Sequence, residues 1–309
     1  VEVKGKGLGA VATRDIAVGE LVLAERPAIA CRSDGESWRE DLRREFDALS
    51  PDLQEQVMDL HDACVFAPDK SLEGIVLSNA VGRGESPFDV ALLLQVSRFN
   101  HSCTPNCEPS WNEDAFEAQV FASLPVRAGE ELCSYYVEVR GPRAERKKML
   151  WDRFRFDCQC PACLASHRAE SDLRRNKLKR IDADIRANRF QNEPDKGIAK
   201  VKEVLNLYRD EGLGLYSFRK WHCYSAYEMS LLLGGDRQLE ARHWVKRALE
   251  NSILAHGEDH PDTRTLQEKV RRPLDNSITA GKSYAVRTIS VAVLSALVLY
   301  EMWQARKAR

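Results

Sequence analysis

The chain has 309 residues, with 46 Lys and Arg against 47 Asp and Glu, 43% hydrophobic residues and a formal net charge of −1. That balance excludes a long disordered or collagen-like polymer. With a pI near 6.7 there is no global positive field, so strong nucleic-acid binding is not expected. A chain near 300 residues buries roughly 75% of its unfolded surface, enough for one large domain or two ordinary ones.

Residues 1–31 mix glycines with short apolar runs, Val11-Ala12-Thr13 and Glu20 to Ala24, separated by Val18-Gly19. This pattern predicts short strands and tight turns. Within it, Gly5-Lys6-Gly7-Leu8-Gly9 would let backbone approach a ligand closely, because glycine has no Cβ and adopts positive φ. The spacing is G-x-G-x-G before a strand, not the G-x-G-x-x-G that opens a helix, so a dinucleotide fold is excluded. A plain turn is an equal alternative on spacing alone.

From Asp34 to Leu60 the period changes. Trp38, Leu42, Phe46 and Leu49 recur at helical spacing, and Ser50-Pro51 opens a second helix with Leu53, Val57 and Leu60. Residues 75–140 return to short mixed segments that end in the β-rich run Glu131 to Val137. Beyond Cys163 strand signals fade. Val201, Val204, Leu205 and Tyr208, and then Ala241, Val245, Ala248 and Leu249, fit amphipathic helices. Small residues there suggest helical hairpins, without a clean 34-residue period.

The tail carries an uncharged run from Thr288 to Tyr300 inside an apolar stretch, Tyr284 to Trp303, interrupted by Arg287 and Glu301. The uncharged run is short of the roughly 20 residues that span a bilayer, so membrane contact through 284–303 is open but not favoured. Lys282, Arg306, Lys307 and Arg309 flank it, as a headgroup anchor requires.

Nine cysteines and an amino terminus without a basic-then-apolar signal point to a reducing compartment, cytoplasmic or nuclear. The chain opens on Val1 rather than Met, which leaves room for an upstream segment. Cys158, Cys160 and Cys163 fall within six residues, too close for mutual disulfides and well suited to one structural zinc ion. A fourth ligand must come from elsewhere. Cys103, in the turn-rich Asn100-His101-Ser102-Cys103 before Pro105, is the best candidate, although spacing alone leaves packing an equal alternative. Cys31, Cys64, Cys107, Cys133 and Cys223 show no ligand spacing and are assigned to packing.

Ser97 to Asn106 concentrates polar side chains beside Leu92, Leu93, Leu94 and Val96, where they must be satisfied by backbone or ligand. His101 has no nucleophile or carboxylate near it in sequence, so a Ser-His-Asp hydrolase is unsupported. The run Arg143, Arg146, Lys147, Lys148, Arg153 and Arg155 is read as a solvated helix face.

The glycine turn 5–9, the 98–106 stretch, Gly129 to Tyr136 and C-x-C-x-x-C at 158–163, in this order, resemble the SET-domain lysine methyltransferases, closest to the SMYD type and its fungal relatives. The resemblance covers residues 1–165. There it implies a SET β-fold split over 1–31 and 75–157, a helical insert at 32–74 and a post-SET zinc segment at 158–170; with the helical spacing beyond, the chain reads as α+β, with an all-helical repeat-like domain at 171–275 and an apolar tail at 276–309.

It further implies that Lys6, Gly7 and Leu8 line an S-adenosylmethionine site with main-chain groups. Asn100 and His101 would hold its amino-acid or adenosine part, and Phe156 would lie against adenine. His61 is a weaker cofactor contact. Tyr136 matches the catalytic tyrosine, Phe154 the lysine channel, and Cys103, Cys158, Cys160 and Cys163 the ligands of a structural Zn2+. The expected partner is a protein bearing a target lysine, histone or non-histone. The chain departs from the SMYD pattern in lacking a multi-cysteine MYND finger, in having Tyr135 before the catalytic tyrosine, and in having Gly9-Ala10-Val11 after the glycine turn. The rival reading is a catalytically silent SET scaffold that binds partners through its helical domain.

Overall fold

A computed structural model describes residues 1–33, 37–63, 69–83, 86, 88–234 and 237–271. Asp34, Cys64 and the 276–309 tail, with its 284–303 apolar stretch, lie outside the described residues.

Among the described residues the strands form four small sheets. β1 (Glu2–Val3) and β2 (Gly7–Leu8) make an antiparallel hairpin turned by Gly5 and Gly7, both at positive φ. An L side chain is strained at that angle, which is why glycine recurs there. β3 (Ala10–Val11) pairs antiparallel with β11 (Glu131–Ser134), and β11 pairs in parallel with β8 (Asn100–His101). That parallel step sets Cys133 opposite Asn100 and Ser134 opposite His101. A second sheet has the order β4 (Leu21–Glu25), β10 (Glu117–Ala122), β9 (Cys107–Asn112). A third has β5 (Ile29–Arg32), β7 (Asp89–Leu92), β6 (Val81–Gly82).

The insert contains α1 (Trp38–Asp47) and α2 (Pro51–Asp59), as the periodicity predicts. Trp38, Leu42, Phe46 and Val57 pack against Ile29, Cys31, Val90 and Leu92 of the third sheet. A third helix, α3 (Leu72–Asn79), runs across position 75, where a return to the sheet is expected from sequence. The Ser71 hydroxyl accepts from the Gly74 N–H at 3.0 Å and caps this helix, and Ile75 and Val76 are buried on it rather than on a strand. The sheet resumes only at Val81.

The run Glu131 to Val137 is likewise strand only to Ser134, because the Tyr136 N–H leaves the ladder for the His101 imidazole. After α4 (Arg143–Phe154) and the short α5 (Pro161–Leu164), the helical domain begins at Arg168, inside the predicted zinc segment. α6 (Arg168–Arg186), α7 (Pro194–Asp210), α8 (Tyr216–Leu233), α9 (Gln238–His256) and α10 (Pro261–Arg271) enclose a core that includes Leu178, Val201, Tyr208, Trp244 and Ala248. No described helix is long and apolar enough to cross a membrane. The solvated-face reading of α4 is corrected at Arg146, which is only 1% exposed and shares the buried side of the helix with Leu150 one turn on.

The helical domain docks on the second sheet through polar groups. Glu108 of β9 accepts from the Tyr216 N–H at 2.8 Å, and from the Ser217 N–H and hydroxyl, so a strand carboxylate caps the first turn of α8. Beside it Ser110 Oγ lies 2.7 Å from His256 Nδ1, and Lys220 pairs with Asp262 at 2.7 Å. Burial pushes the Glu108 carboxyl up to about 7. Between the ordinary value of 4.5 and that value, the folded chain holds a proton the unfolded chain has lost. Stability from this site is therefore full below the unfolded pKa and declines as pH rises toward 7.

Glu108→Gln keeps the acceptor and adds an amide donor to Ser217, but cannot titrate. In urea unfolding at pH 5 and pH 8, wild type is expected to lose about 2–3 kcal/mol relative to this variant. A gap that does not change with pH contradicts the assignment.

Candidate functional site

A cleft of about 1120 Å³ opens where the β1–β2 hairpin, the end of α2, β8, the segment after β11 and the segment after α4 converge. Lys6, Gly7, Leu8, His61, Asn100, His101, Tyr136, Phe154 and Phe156 all line it. So do Lys4, Asp59, Arg98 and Asp62, to which the sequence reading gave no role. Arg98 pairs with Asp59 at 2.7 Å and ties β8's approach to the insert.

Its wall is aromatic. The Tyr136 ring lies 5.1 Å from Phe154 and 6.4 Å, edge-on, from Phe156, and the His101 ring lies 5.5 Å from Tyr136 and 6.1 Å from Phe156. Two phenylalanines so close in sequence reach one cleft because α4 ends between them. Arg155 adopts φ 58°, the left-handed cap, and its N–H returns to the Trp151 carbonyl at 3.2 Å.

The Tyr136 hydroxyl donates to the Phe99 carbonyl at 2.9 Å. Burial raises its pKa, so it stays protonated. With its proton held there, the oxygen keeps acceptor capacity for a group entering the cleft.

His101 is oriented from both sides. Nδ1 accepts from the Tyr136 N–H at 3.0 Å, and Nε2 lies 3.4 Å from Cys103 Sγ. A backbone N–H can only donate, and burial lowers the imidazole to about 3. The ring is therefore neutral with its proton on Nε2, directed at sulfur. Both nitrogens of His101 are spent inside the protein, and the Asn100 amide nitrogen donates to Glu131 Oε1 at 2.9 Å and Leu8 O at 3.3 Å. What His101 offers the cleft is its ring and main chain.

Beneath this wall Cys103, Cys158, Cys160 and Cys163 are all buried, with every sulfur within 4.8 Å of the others. Cys103 Sγ is 3.9 Å from Cys158 Sγ and 3.6 Å from Cys163 Sγ, and all four are free thiols. A tetrahedron with metal–sulfur distances of about 2.3 Å has edges of about 3.8 Å, so the set is compatible with zinc. Donors face the sulfurs: the Cys103 N–H reaches Cys160 Sγ at 3.4 Å, Arg146 Nη2 lies 3.9 Å from Cys163 Sγ, and His101 Nε2 approaches Cys103. Such second-layer donors suit thiolates, which carry more charge than one divalent ion neutralises. Arg175 of α6 donates to the Cys103 carbonyl at 3.1 Å and pairs with Glu211 at 2.7 Å, which fastens the cluster to the helical domain.

Of the cysteines assigned to packing, Cys31, Cys107, Cys133 and Cys223 are buried free thiols. Sequence reasoning missed Arg146, Arg175 and Glu131. Arg146 was signalled by its spacing of four from Leu150, an apolar-face position in a basic run. Arg175 and Glu131 carried no such signal.

Comparison with known proteins agrees with this architecture. The SET domain family model matches residues 7–137. The chain is 33% identical over 187 residues to histone-lysine N-methyltransferase set5 of Schizosaccharomyces pombe, covering 59% of this chain and 56% of that protein. It is 41% identical over 69 residues to protein-lysine N-trimethyltransferase SMYD5 of Mus musculus, covering 21% and 17%. It is also 33% identical over 92 residues to SET domain and MYND-type zinc finger protein 6 of Schizosaccharomyces pombe, covering 29% and 19%. The chain thus spans about half the length of the first relative and less than a fifth of the other two.

If one sulfur cross-links two distant stretches, Cys103→Ser should loosen both. Hydrogen exchange measured by mass spectrometry is expected to rise at least tenfold in 100–106 and 158–163 while 38–60 is unchanged. Unaltered protection in 158–163 contradicts the cross-link.

Proposed function

The chain carries a SET domain, and on that premise we propose that it is an S-adenosylmethionine-dependent protein-lysine N-methyltransferase with one structural zinc ion. The observation that carries this reading is the convergence of the glycine hairpin, β8, Tyr136 and the two phenylalanines on one cleft above four clustered sulfurs. The names of the relatives, one a histone-lysine and one a protein-lysine methyltransferase, support a protein lysine as substrate. Buried free thiols suit a reducing compartment, the cytosol or nucleus.

S-adenosylmethionine supplies a methyl carbon on a positively charged sulfur. The main chain of Lys6, Gly7 and Leu8 would take up its amino-acid end, with Asn100 and His101 alongside, Phe156 against adenine and His61 at the insert's rim. Cys103, Cys158, Cys160 and Cys163 would hold the zinc.

The incoming lysine must be neutral to attack. With an ordinary pKa of about 10.4, its ammonium is disfavoured by an apolar channel and a neighbouring positive charge, so its proton is lost to solvent before transfer. Beside that amine, the bound cofactor would supply the methyl group, its positive charge passing to the methylated nitrogen. The chain's residues contribute alignment and dryness: Phe154 excludes water around the alkyl stem, and the Tyr136 oxygen accepts a hydrogen bond from the amine or the polarised methyl. Phe154 has no hydroxyl to restrain a methylated amine, which favours more than one round of transfer.

Tyr136→Phe removes the acceptor and leaves the Phe99 carbonyl unpaired, at a stability cost of about 1 kcal/mol. Mass spectrometry over a lysine-peptide library is expected to show 14-dalton increments with wild type and at least a 100-fold slower rate with the variant. Calorimetry is expected to give both proteins the same cofactor affinity. Full activity in the variant contradicts the role of Tyr136. Cofactor binding by wild type with no product across the library would instead support the silent scaffold.

A further inference from the structure

Glu131 of β11 does not line the cleft, yet both its carboxylate oxygens grip residues that do. Oε2 accepts from Lys6 Nζ at 2.6 Å, and Oε1 accepts from Asn100 Nδ2 at 2.9 Å. The strand beneath it is fixed in turn, because Asn106 donates through Nδ2 to the Glu131 carbonyl at 2.9 Å and accepts through Oδ1 from the Cys133 N–H at 2.8 Å. Between the partners lies Gly9, where a Cβ would stand 2.8 Å from Asn100 Nδ2 and 3.4 Å from Glu131 Oε1. The same Cβ would stand 2.6 Å from Val3 Cγ2, so any side chain at position 9 would push the amide, the carboxylate and Val3 aside.

We propose that Glu131 is a positioning residue for the amino-acid end of S-adenosylmethionine: it joins the glycine hairpin to β8 through Lys6 and Asn100 before the ligand arrives. This rests on the methyltransferase reading and adds to it. Unpaired, Lys6 would sample many rotamers on a two-strand hairpin turned by two glycines, and ordering it would weaken binding by the entropy lost. Paired with Glu131, its ammonium is held in one place and still has donors for an α-carboxylate, since an ammonium offers three. Asn100 is held by the same carboxylate, so the two walls of the pocket cannot drift apart independently.

Glu131→Gln separates the effects. The amide oxygen can still accept from Asn100, but the amide nitrogen cannot accept from Lys6. Calorimetric titration of the full chain with S-adenosylmethionine and with S-adenosylhomocysteine is expected to show about tenfold weaker binding of each in the variant. The ratio of the two affinities should not change, because the ligands share the amino-acid end and differ only at sulfur. At saturating cofactor kcat should stay within about twofold, so the loss falls on KM. Lys6→Met combined with Glu131→Gln should bind no more weakly than Lys6→Met alone, since the carboxylate acts through that lysine.

Thermal melting and zinc content identify a variant that has merely lost its fold. In that event Glu131→Asp, one methylene short, is put through the same titrations, with the same tenfold loss expected. Undiminished affinity in the folded variant, or effects of the two substitutions that simply add, overturns the positioning role while leaving the enzyme reading intact. Failure of wild type to bind either ligand overturns both.

Discussion

Four sulfurs from two stretches of chain more than fifty residues apart meet in one buried cluster, and the rest of the site is built upon that meeting. Cys103 lies two residues past His101 in β8, and Cys158 two residues past Phe156. Holding the sulfurs together therefore holds the end of β8 against the aromatic wall. As metal ligands the four sulfurs would be thiolates, and so tight a cluster of buried thiolates is unfavourable without a counter-charge, because each repels the next and burial removes the water that would screen them. The surrounding donors, Arg146, the His101 ring and the Cys103 N–H, reduce that repulsion without occupying a ligand position.

The imidazole of His101 connects this cluster to the chemistry. One nitrogen fixes the backbone of Tyr136 and the other faces sulfur, so the tyrosine's place depends on the sulfur's place through a single rigid ring. The Tyr136 hydroxyl is separately anchored on Phe99. A side chain held at its backbone and at its tip would lose little further entropy if a substrate docked against it, as the proposed methyl transfer requires. Arg175 extends the same connection outward by joining the Cys103 and Val139 carbonyls to Glu211. The helical domain is thus tied to the site by buried charge as well as by apolar contact.

Much of this was legible in the residues because the informative signals were local. C-x-C-x-x-C announces a thiol cluster by its spacing, α1 and α2 declare themselves by apolar period, and Gly5 and Gly7 sit where positive φ is needed. What escaped was non-local or ambiguous over short runs. The sheet was expected to return from residue 75, yet tertiary burial against the third sheet and a serine cap make Ile75 and Val76 helical. Glu131 and Arg175 act on residues 31 to 125 positions away in sequence, and no periodicity encodes such pairs. The two ring nitrogens of His101 are satisfied within the protein, a placement that no local pattern encodes.

The central claim is that the sulfur cluster is a metal site whose occupation maintains the cleft. The most direct measurement is elemental analysis of the intact chain purified under reducing conditions, coupled to S-adenosylmethionine titration before and after stripping with a strong chelator. One zinc per chain, with cofactor affinity lost on stripping and regained on adding zinc back, is the predicted result. A chain that contains no metal and still binds the cofactor would contradict it.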